Sequence, residues 1–99
     1  MITSETRAAV YARAGGFCEV CGTYRTFDGP WGIRGQCAHR VARTKWAVKK
    51  YGEEVIDHPD NLAWTCPGKC NDAVLITFKT AQREALMAAI REKLLEDSR

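Results

Sequence analysis

The clearest alternation of apolar and polar residues lies near the C-terminal end of the chain. Apolar side chains recur there every three or four positions, at Ala85, Leu86, Ala89, Ile90 and Leu94. This spacing places them on one face of an amphipathic helix, so residues 79–99 are predicted to be helical. The apolar face indicates packing against a core, with a homodimer interface through this C-terminal helix as the alternative.

Shorter patterns predict the other elements. Residues 1–16 are expected to form an N-terminal helix that ends at a pair of glycines. Residues 36–42, "QCAHRVA", alternate weakly and predict a strand, as does the short apolar run "LAWTC" at 62–66. Thr44 can cap a short helix that stops before a glycine. With 99 residues and no linker, the chain is expected to fold as a single domain, 1–99.

Five cysteines are many for a chain of this length. The N-terminus lacks the apolar core of a signal peptide, which predicts a reducing cytoplasm, where metal binding explains cysteines better than disulfides do. Cys18 and Cys21 are separated by two residues, and Cys66 and Cys70 by three, which is typical of zinc sites. We therefore expect a structural zinc with four cysteine ligands, and Cys37 as a spare, buried residue.

The net charge of +3 is unevenly distributed. Between positions 29 and 52 there are six basic residues and no acidic one, whereas the rest of the chain holds nine basic and twelve acidic residues. The six are Arg34, Arg40, Arg43, Lys45, Lys49 and Lys50. This segment predicts a surface that contacts nucleic-acid phosphates, with an ordinary solvated face as the alternative. No apolar run is long enough to span a membrane.

Four segments taken together, "CEVC", "AHR", "DHPDNLAWTC" and "CPGKCN", resemble the zinc-containing members of the HNH endonuclease family. The resemblance runs from Cys18 to about Ile76. It implies an α+β fold of the ββα-metal type, with a zinc-bound core over residues 17–78. The segments 1–16 and 79–99 would add an N-terminal helix and a long C-terminal helix to that core.

The resemblance also implies roles for three residues. His39 would be the general base, Asn61 would brace the loop beside it, and Asn71 would be a ligand of a catalytic Mg²⁺ or Mn²⁺ ion. An imidazole titrates near neutral pH and suits the base, while hard cations prefer oxygen ligands. The implied activity is metal-dependent cleavage or nicking of DNA, similar to phage-type HNH nucleases, in a bacterial or phage-infected cell.

Ala38 departs from the family pattern, which commonly has a metal-ligating residue directly before the histidine. His58 is the preferred replacement ligand, ahead of Asp72 and Asp57, although His58 could instead cap the local turn. Alanine cannot bind a metal, which supports the first of two other functions that stay open. One is a zinc module of the same fold that binds nucleic acid without cleaving it. The other is a zinc-stapled protein-interaction module that uses the C-terminal helix.

Overall fold

The computed structural model describes residues 2–98. The elements are helix α1 (Ser4–Ala14), strand β1 (Gln36–His39), helices α2 (Lys45–Tyr51) and α3 (Glu53–Ile56), strand β2 (Leu62–Thr65), and helices α4 (Lys69–Ala73) and α5 (Thr80–Asp97). A short 3-10 turn at Pro59–Asn61 leads directly into β2. The expected α+β class is confirmed. Across residues 2–98, every helix is too short or too polar to cross a bilayer.

Strands β1 and β2 pair antiparallel, with Gln36 opposite Thr65 and His39 opposite Leu62. Because successive strand residues point to opposite faces, Gln36 and Ala38 lie on one face and Cys37 and His39 on the other. Helix α4 contacts β1, and helix α1 contacts β2. The two strands therefore form a small sheet that is supported by the helix before the first cysteine pair and by the helix that holds the last cysteine.

Local capping sets the ends of the first helices. The Thr3 side chain accepts a hydrogen bond from the Thr6 amide at 3.1 Å, and Thr44 does the same for the Ala47 amide. Helix α1 ends at Ala14 because Gly15 adopts a left-handed conformation, with φ of 64°. The predicted end of this helix at the glycine pair is thus confirmed, and Met1 lies outside the described residues.

Helix α5 begins at Thr80 rather than at position 79 and extends to Asp97, while Arg99 lies outside the described residues. Its buried face is centred on Met87 and Ile90, with Leu86 and Leu94 half-buried. The predicted stripe was partly wrong, since Ala85 and Ala89 are exposed. Burying long side chains removes more apolar area from water than burying alanine, so the helix turns them inward.

The core has two parts. One joins α2, α3 and α5 around eight buried residues: Val41, Ala47, Tyr51, Val55, Ile56, Ile76, Met87 and Ile90. The other holds β2 against α1 through Val10, Leu62 and Trp64. The Trp64 indole donates to the Gly16 carbonyl at 3.2 Å and packs edge-on against Tyr11. Gly35 lies so close to this ring that a side chain there would clash with it.

Candidate functional site

Four cysteines from two distant segments meet in space. Cys18 and Cys21 lie in the turn after α1, Cys66 directly follows β2, and Cys70 is in α4. Their sulfur atoms all lie within 4.8 Å of one another, with 3.6 Å between Cys21 Sγ and Cys66 Sγ. A tetrahedral zinc ion with Zn–S bonds of about 2.3 Å separates its sulfurs by roughly 3.8 Å. This cluster could therefore hold a metal ion such as zinc.

Backbone amides surround the sulfur of Cys18. The amides of Val20, Cys21 and Cys66 lie 3.4–3.5 Å from Cys18 Sγ. Burial acts to raise the pKa of Cys18, but these N–H groups outweigh it and lower that pKa below its ordinary value. In addition, the Arg25 Nε–H donates to Cys66 Sγ at 3.1 Å. The amides thus favour the thiolate, the form that binds metals, at Cys18, whereas burial and the neighbouring sulfurs outweigh the Arg25 hydrogen bond and raise the pKa of Cys66.

Neighbouring groups shift the pKa values of two cluster cysteines in opposite directions. A hydrogen bond with Thr23 lowers the pKa of Cys21 to about 6. Desolvation and the neighbouring sulfurs raise the pKa of Cys70 to about 12. A divalent cation would offset the negative charge that the neighbouring sulfurs place beside Cys70. Cys37, the fifth cysteine, lies on β1 outside the cluster, and burial raises its pKa.

His39, at the end of β1, is paired with a carboxylate. Its Nε2 lies 2.9 Å from Asp57 Oδ1, and Asp57 also accepts hydrogen bonds from Arg43 Nε at 3.2 Å. An ionised carboxylate can only accept, so Nε2 carries a proton, and in the neutral imidazole Nδ1 is then the acceptor. Within residues 2–98, Nδ1 has no hydrogen-bond partner, and it is not among the buried orphan atoms. Nδ1 therefore contacts solvent.

The Asp57 carboxylate is only 8% exposed. Burial acts to raise its pKa, but its hydrogen bonds, those from His39 and Arg43 among them, outweigh burial and lower the pKa to about 2. The folded-state pKa is therefore below the ordinary value of 3.8. Asp57 consequently stabilises the fold at neutral pH, and that contribution is lost as the pH falls from about 4 towards 2.

This carboxylate gives a first testable prediction. Asp57→Asn is expected to lower the urea-unfolding free energy of the zinc-loaded protein at pH 7 by about 2 kcal/mol, because at that pH Asp57 is ionised and stabilised by its hydrogen bonds. Urea titrations of both proteins at pH 7, where the cysteine ligands keep their zinc, measure the difference. Equal unfolding free energies in both proteins would contradict the pairing of Asp57.

Asn61 is fully buried and makes three side-chain hydrogen bonds. Its Oδ1 accepts from the Val41 amide at 2.9 Å, and its Nδ2 donates to the carbonyls of Val41 and Ile56 at 3.1 and 2.7 Å. The Asn61 carbonyl also accepts from the Arg40 amide. Asn61 thus ties the segment after His39 to the end of α3. All of its side-chain hydrogen-bonding groups are occupied by protein.

Asn71 lies in α4, directly after the last cysteine of the cluster. Its Nδ2 donates to Gln36 Oε1 at 2.8 Å, and its own carbonyl oxygen has no partner among residues 2–98. Gln36 and His39 point to opposite faces of β1, and no hydrogen bond within residues 2–98 joins His39 to Asn71. Ala38, between them, is buried at 2% exposure opposite Ala63 and offers no ligand atom.

The three residues expected as replacement ligands lie in different surroundings. His58 Nδ1 accepts from the Asp60 amide at 3.0 Å and caps the turn before β2, the alternative role expected for it. Asp57 is held by His39 and Arg43. Asp72 is exposed on α4. Among residues 2–98, the Asn71 side chain is hydrogen-bonded to Gln36 and to none of these three.

The six basic residues divide into two groups. Arg43 is paired with Asp57 and Glu53, Lys50 with Glu84, and the Arg34 guanidinium lies 5.9 Å from the centre of the Trp31 ring. The second group consists of Arg40, Lys45 and Lys49, which are exposed and have no side-chain partner within residues 2–98. Only this second group is fully available to an anionic ligand.

A cleft of about 780 Å³ opens beside the sheet, between the turn after α1, the end of α4 and the start of α5. Its basic residues are Arg13, Arg40 and Lys79. Both acidic residues in its wall are already paired, Glu19 with Arg13 and Asp60 with Lys93 outside the cleft. Arg40 and Lys79 therefore give the cleft an excess of positive charge.

Comparison of the chain with models of known protein families, with curated proteins and with solved structures finds no match. The functional assignment therefore depends on the chemistry of the residues described above. Two hydrogen-bonded pairs could not be identified from the sequence: Asp57 with His39, and Gln36 with Asn71. The pair with Gln36 could have been anticipated, because Gln36 lies two residues before Ala38, where a metal ligand was expected, and thus on the same strand face.

Proposed function

We propose that the protein is a metal-dependent DNA endonuclease or nickase in which His39 is the general base. The observation that carries the proposal is the pair of His39 with Asp57. This pair fixes the tautomer of the imidazole and leaves Nδ1 as a solvent-facing proton acceptor. A carboxylate behind a catalytic histidine also stabilises the imidazolium that forms when it takes a proton.

In this proposal the four cysteines hold a structural zinc ion. Four protein ligands leave no open position, so the ion would organise the fold and take no part in the reaction. It would tie the turn after α1 to the start of α4, and it would thereby hold Asn71 against Gln36 on β1. Polar side chains beside such a rigid centre are held in a defined position.

Phosphodiester hydrolysis needs an activated water and relief of negative charge at the leaving oxygen. His39 Nδ1 would take the proton from the water, and Asp57 would hold the ring in place. Arg40, which follows His39 and has no partner side chain within residues 2–98, would contact the adjacent phosphate. Mg²⁺ or Mn²⁺ would supply the charge relief at the leaving oxygen. The side-chain oxygen of Asn71 would be a ligand of this ion once the Asn71 side chain leaves Gln36, because Gln36 lies on the face of β1 opposite His39.

A second candidate is a module of the same build that binds DNA without cleaving it. Two observations favour it. Ala38 supplies no metal ligand at the place where the HNH family commonly has one. Asn71 is bonded to Gln36, on the face of β1 opposite to His39. In this case the cationic cleft and the free basic residues would be the functional surface.

A plasmid assay separates the two candidates. Zinc-loaded protein is incubated with supercoiled plasmid and either Mg²⁺ or Mn²⁺, and the products are separated on agarose. The proposal predicts conversion to nicked or linear DNA that stops on chelation of the added ion. Intact plasmid with both ions, together with salt-sensitive binding, would favour the second candidate. Intact plasmid with no binding would exclude both.

The free basic residues give a second prediction. Replacement of Lys45 or Lys49 by glutamate should weaken DNA binding about equally for all sequences and should reduce the salt slope by about one unit per lost phosphate contact. Arg91→Glu, an exposed charge reversal on α5, is the matched control and should change binding less. Fluorescence anisotropy at several salt concentrations measures both effects. Equal losses for Lys45 and Arg91 would contradict a specific basic surface.

A further inference from the structure

Phe78, in the turn between α4 and α5, is 95% exposed. No other large apolar side chain within residues 2–98 reaches that exposure; Trp31 follows at 67%. Exposure of a whole phenyl ring to water is unfavourable, and the Phe78 ring contributes no packing to the folded core. An isolated exposed apolar residue is ordinary, but this one is displayed on a backbone that is firmly held.

The residues just before Phe78 are buried and hydrogen-bonded. Ile76 and Thr77 are 6% and 9% exposed. The Ile76 amide donates to the Arg40 carbonyl at 2.7 Å, and the Ala42 amide donates to the Thr77 hydroxyl at 3.0 Å. Arg83 also donates to the Thr77 carbonyl at 2.7 Å. The turn is therefore fixed to the segment that follows His39, and Phe78 projects from it.

Two cations lie on the backbone segments that adjoin Phe78, since Lys79 follows it and the Arg40 carbonyl accepts a hydrogen bond from the Ile76 amide. Lys79 follows it directly and lines the cleft together with Arg40, and neither side chain has a partner among the described residues. An exposed aromatic ring beside unpaired cations is the combination that nucleic-acid proteins use. The cations contact phosphates, and the ring stacks on a base or wedges between two bases. A second copy of this chain would bring like charges to the same place, which disfavours self-association through this turn.

We propose that Phe78 stacks on an unstacked base of bound DNA and directs the protein to DNA with an unpaired or kinked position. The inference rests on the proposed action on DNA and adds the structure of the preferred substrate. The bound strand lies along the cleft, with phosphates at Arg40 and Lys79 and the displaced base on the phenyl ring. A regular duplex keeps its bases stacked, so it can use this contact only at the free-energy cost of unstacking.

The test uses two labelled duplexes that differ in one position. One contains 2-aminopurine as a single unpaired bulge, and the other contains it fully paired. Zinc-loaded wild-type protein should bind the bulged duplex at least about tenfold more tightly, and the 2-aminopurine emission should change on binding as its stacking partner changes. Phe78→Ala should lose most of that preference, because a base–aromatic stack contributes roughly tenfold or more to affinity. Phe78→Trp should keep it.

Leu95→Ala is the matched control. Leu95 is also exposed on α5, about 22 Å along the helix from Thr80, and its loss should leave the preference unchanged. Zinc content and melting temperature of all variants should equal those of wild type, because the Phe78 ring is exposed and contributes little packing. Wild type that binds neither duplex would refute the proposed function itself. Wild type that binds both, with Phe78→Ala unchanged in preference, would overturn only the stacking role. A wild-type dimer that Phe78→Ala dissociates in sedimentation would overturn it in favour of self-association.

Discussion

Replacement of Cys66 by serine is expected to abolish metal binding and to destabilise the fold more than the loss of any single buried hydrogen-bonded side chain. Cys66 is buried, its sulfur lies 3.6 Å from that of Cys21, and it receives a hydrogen bond from Arg25. Structural zinc sites contribute on the order of 10 kcal/mol to folding, which is comparable to the whole stability of a domain of this size. The variant should therefore lose its cooperative thermal transition or melt at least about 20 °C lower.

Cys37→Ser is the matched control for this experiment. Cys37 lies on β1, outside the four-cysteine cluster, and makes no sulfur contact with it. Metal analysis of the purified proteins should find one zinc per chain in wild type and in Cys37→Ser, and none in Cys66→Ser. Chelation of wild type should reproduce the melting behaviour of Cys66→Ser. A full equivalent of zinc and a wild-type melting temperature in Cys66→Ser would contradict the metal assignment.

Asn61→Ala is expected to have the second-largest effect on stability. The substitution leaves the amide and carbonyl of Val41 and the carbonyl of Ile56 without their partners in a buried site. Each such group costs about 1–3 kcal/mol, and single substitutions seldom cost more than about 4–5 kcal/mol, so the total loss should be about 3–5 kcal/mol. For a chain of this length that corresponds to a drop of roughly 15–25 °C in melting temperature.

The same substitution at Asn71 separates this effect from the general loss of an amide. Asn71 is half-buried and makes one side-chain hydrogen bond, to Gln36. Asn71→Ala should therefore lose about 1 kcal/mol or less. Urea unfolding of the two zinc-loaded variants measures the difference. Equal losses at both positions would contradict the bracing role of Asn61.

Several features of the fold follow from local rules and could be predicted. Thr44 caps α2 because a threonine precedes a helical segment without a competing turn residue. The cysteine spacing predicted a four-cysteine cluster, because pairs separated by two or three residues can turn both sulfurs towards one point. In both cases the deciding pattern is local, a threonine before a helix or two cysteines separated by two or three residues, so it can be recognised without the tertiary structure.

Other features depend on residues that are distant in sequence. Asp57 reaches His39 because Asn61 ties the end of α3 to the segment after β1, and no spacing rule connects these positions. The sequence could not show which residues of the basic segment are paired, because their partners Glu53 and Glu84 come from α3 and α5. The predicted buried face of α5 was partly wrong because an apolar stripe counts alanine and longer side chains equally, although longer side chains bury more apolar area.

The cleavage rate of His39→Ala tests the central claim most directly. The variant and wild type are loaded with zinc, and thermal melting verifies that both are folded at the assay temperature. Each is then incubated with supercoiled plasmid and Mn²⁺. Loss of a general base should slow cleavage about 10²- to 10⁴-fold, while DNA binding changes little, because His39 is proposed to move a proton and not to grip the strand. Cleavage by His39→Ala at the wild-type rate would contradict the assignment of His39 as the base.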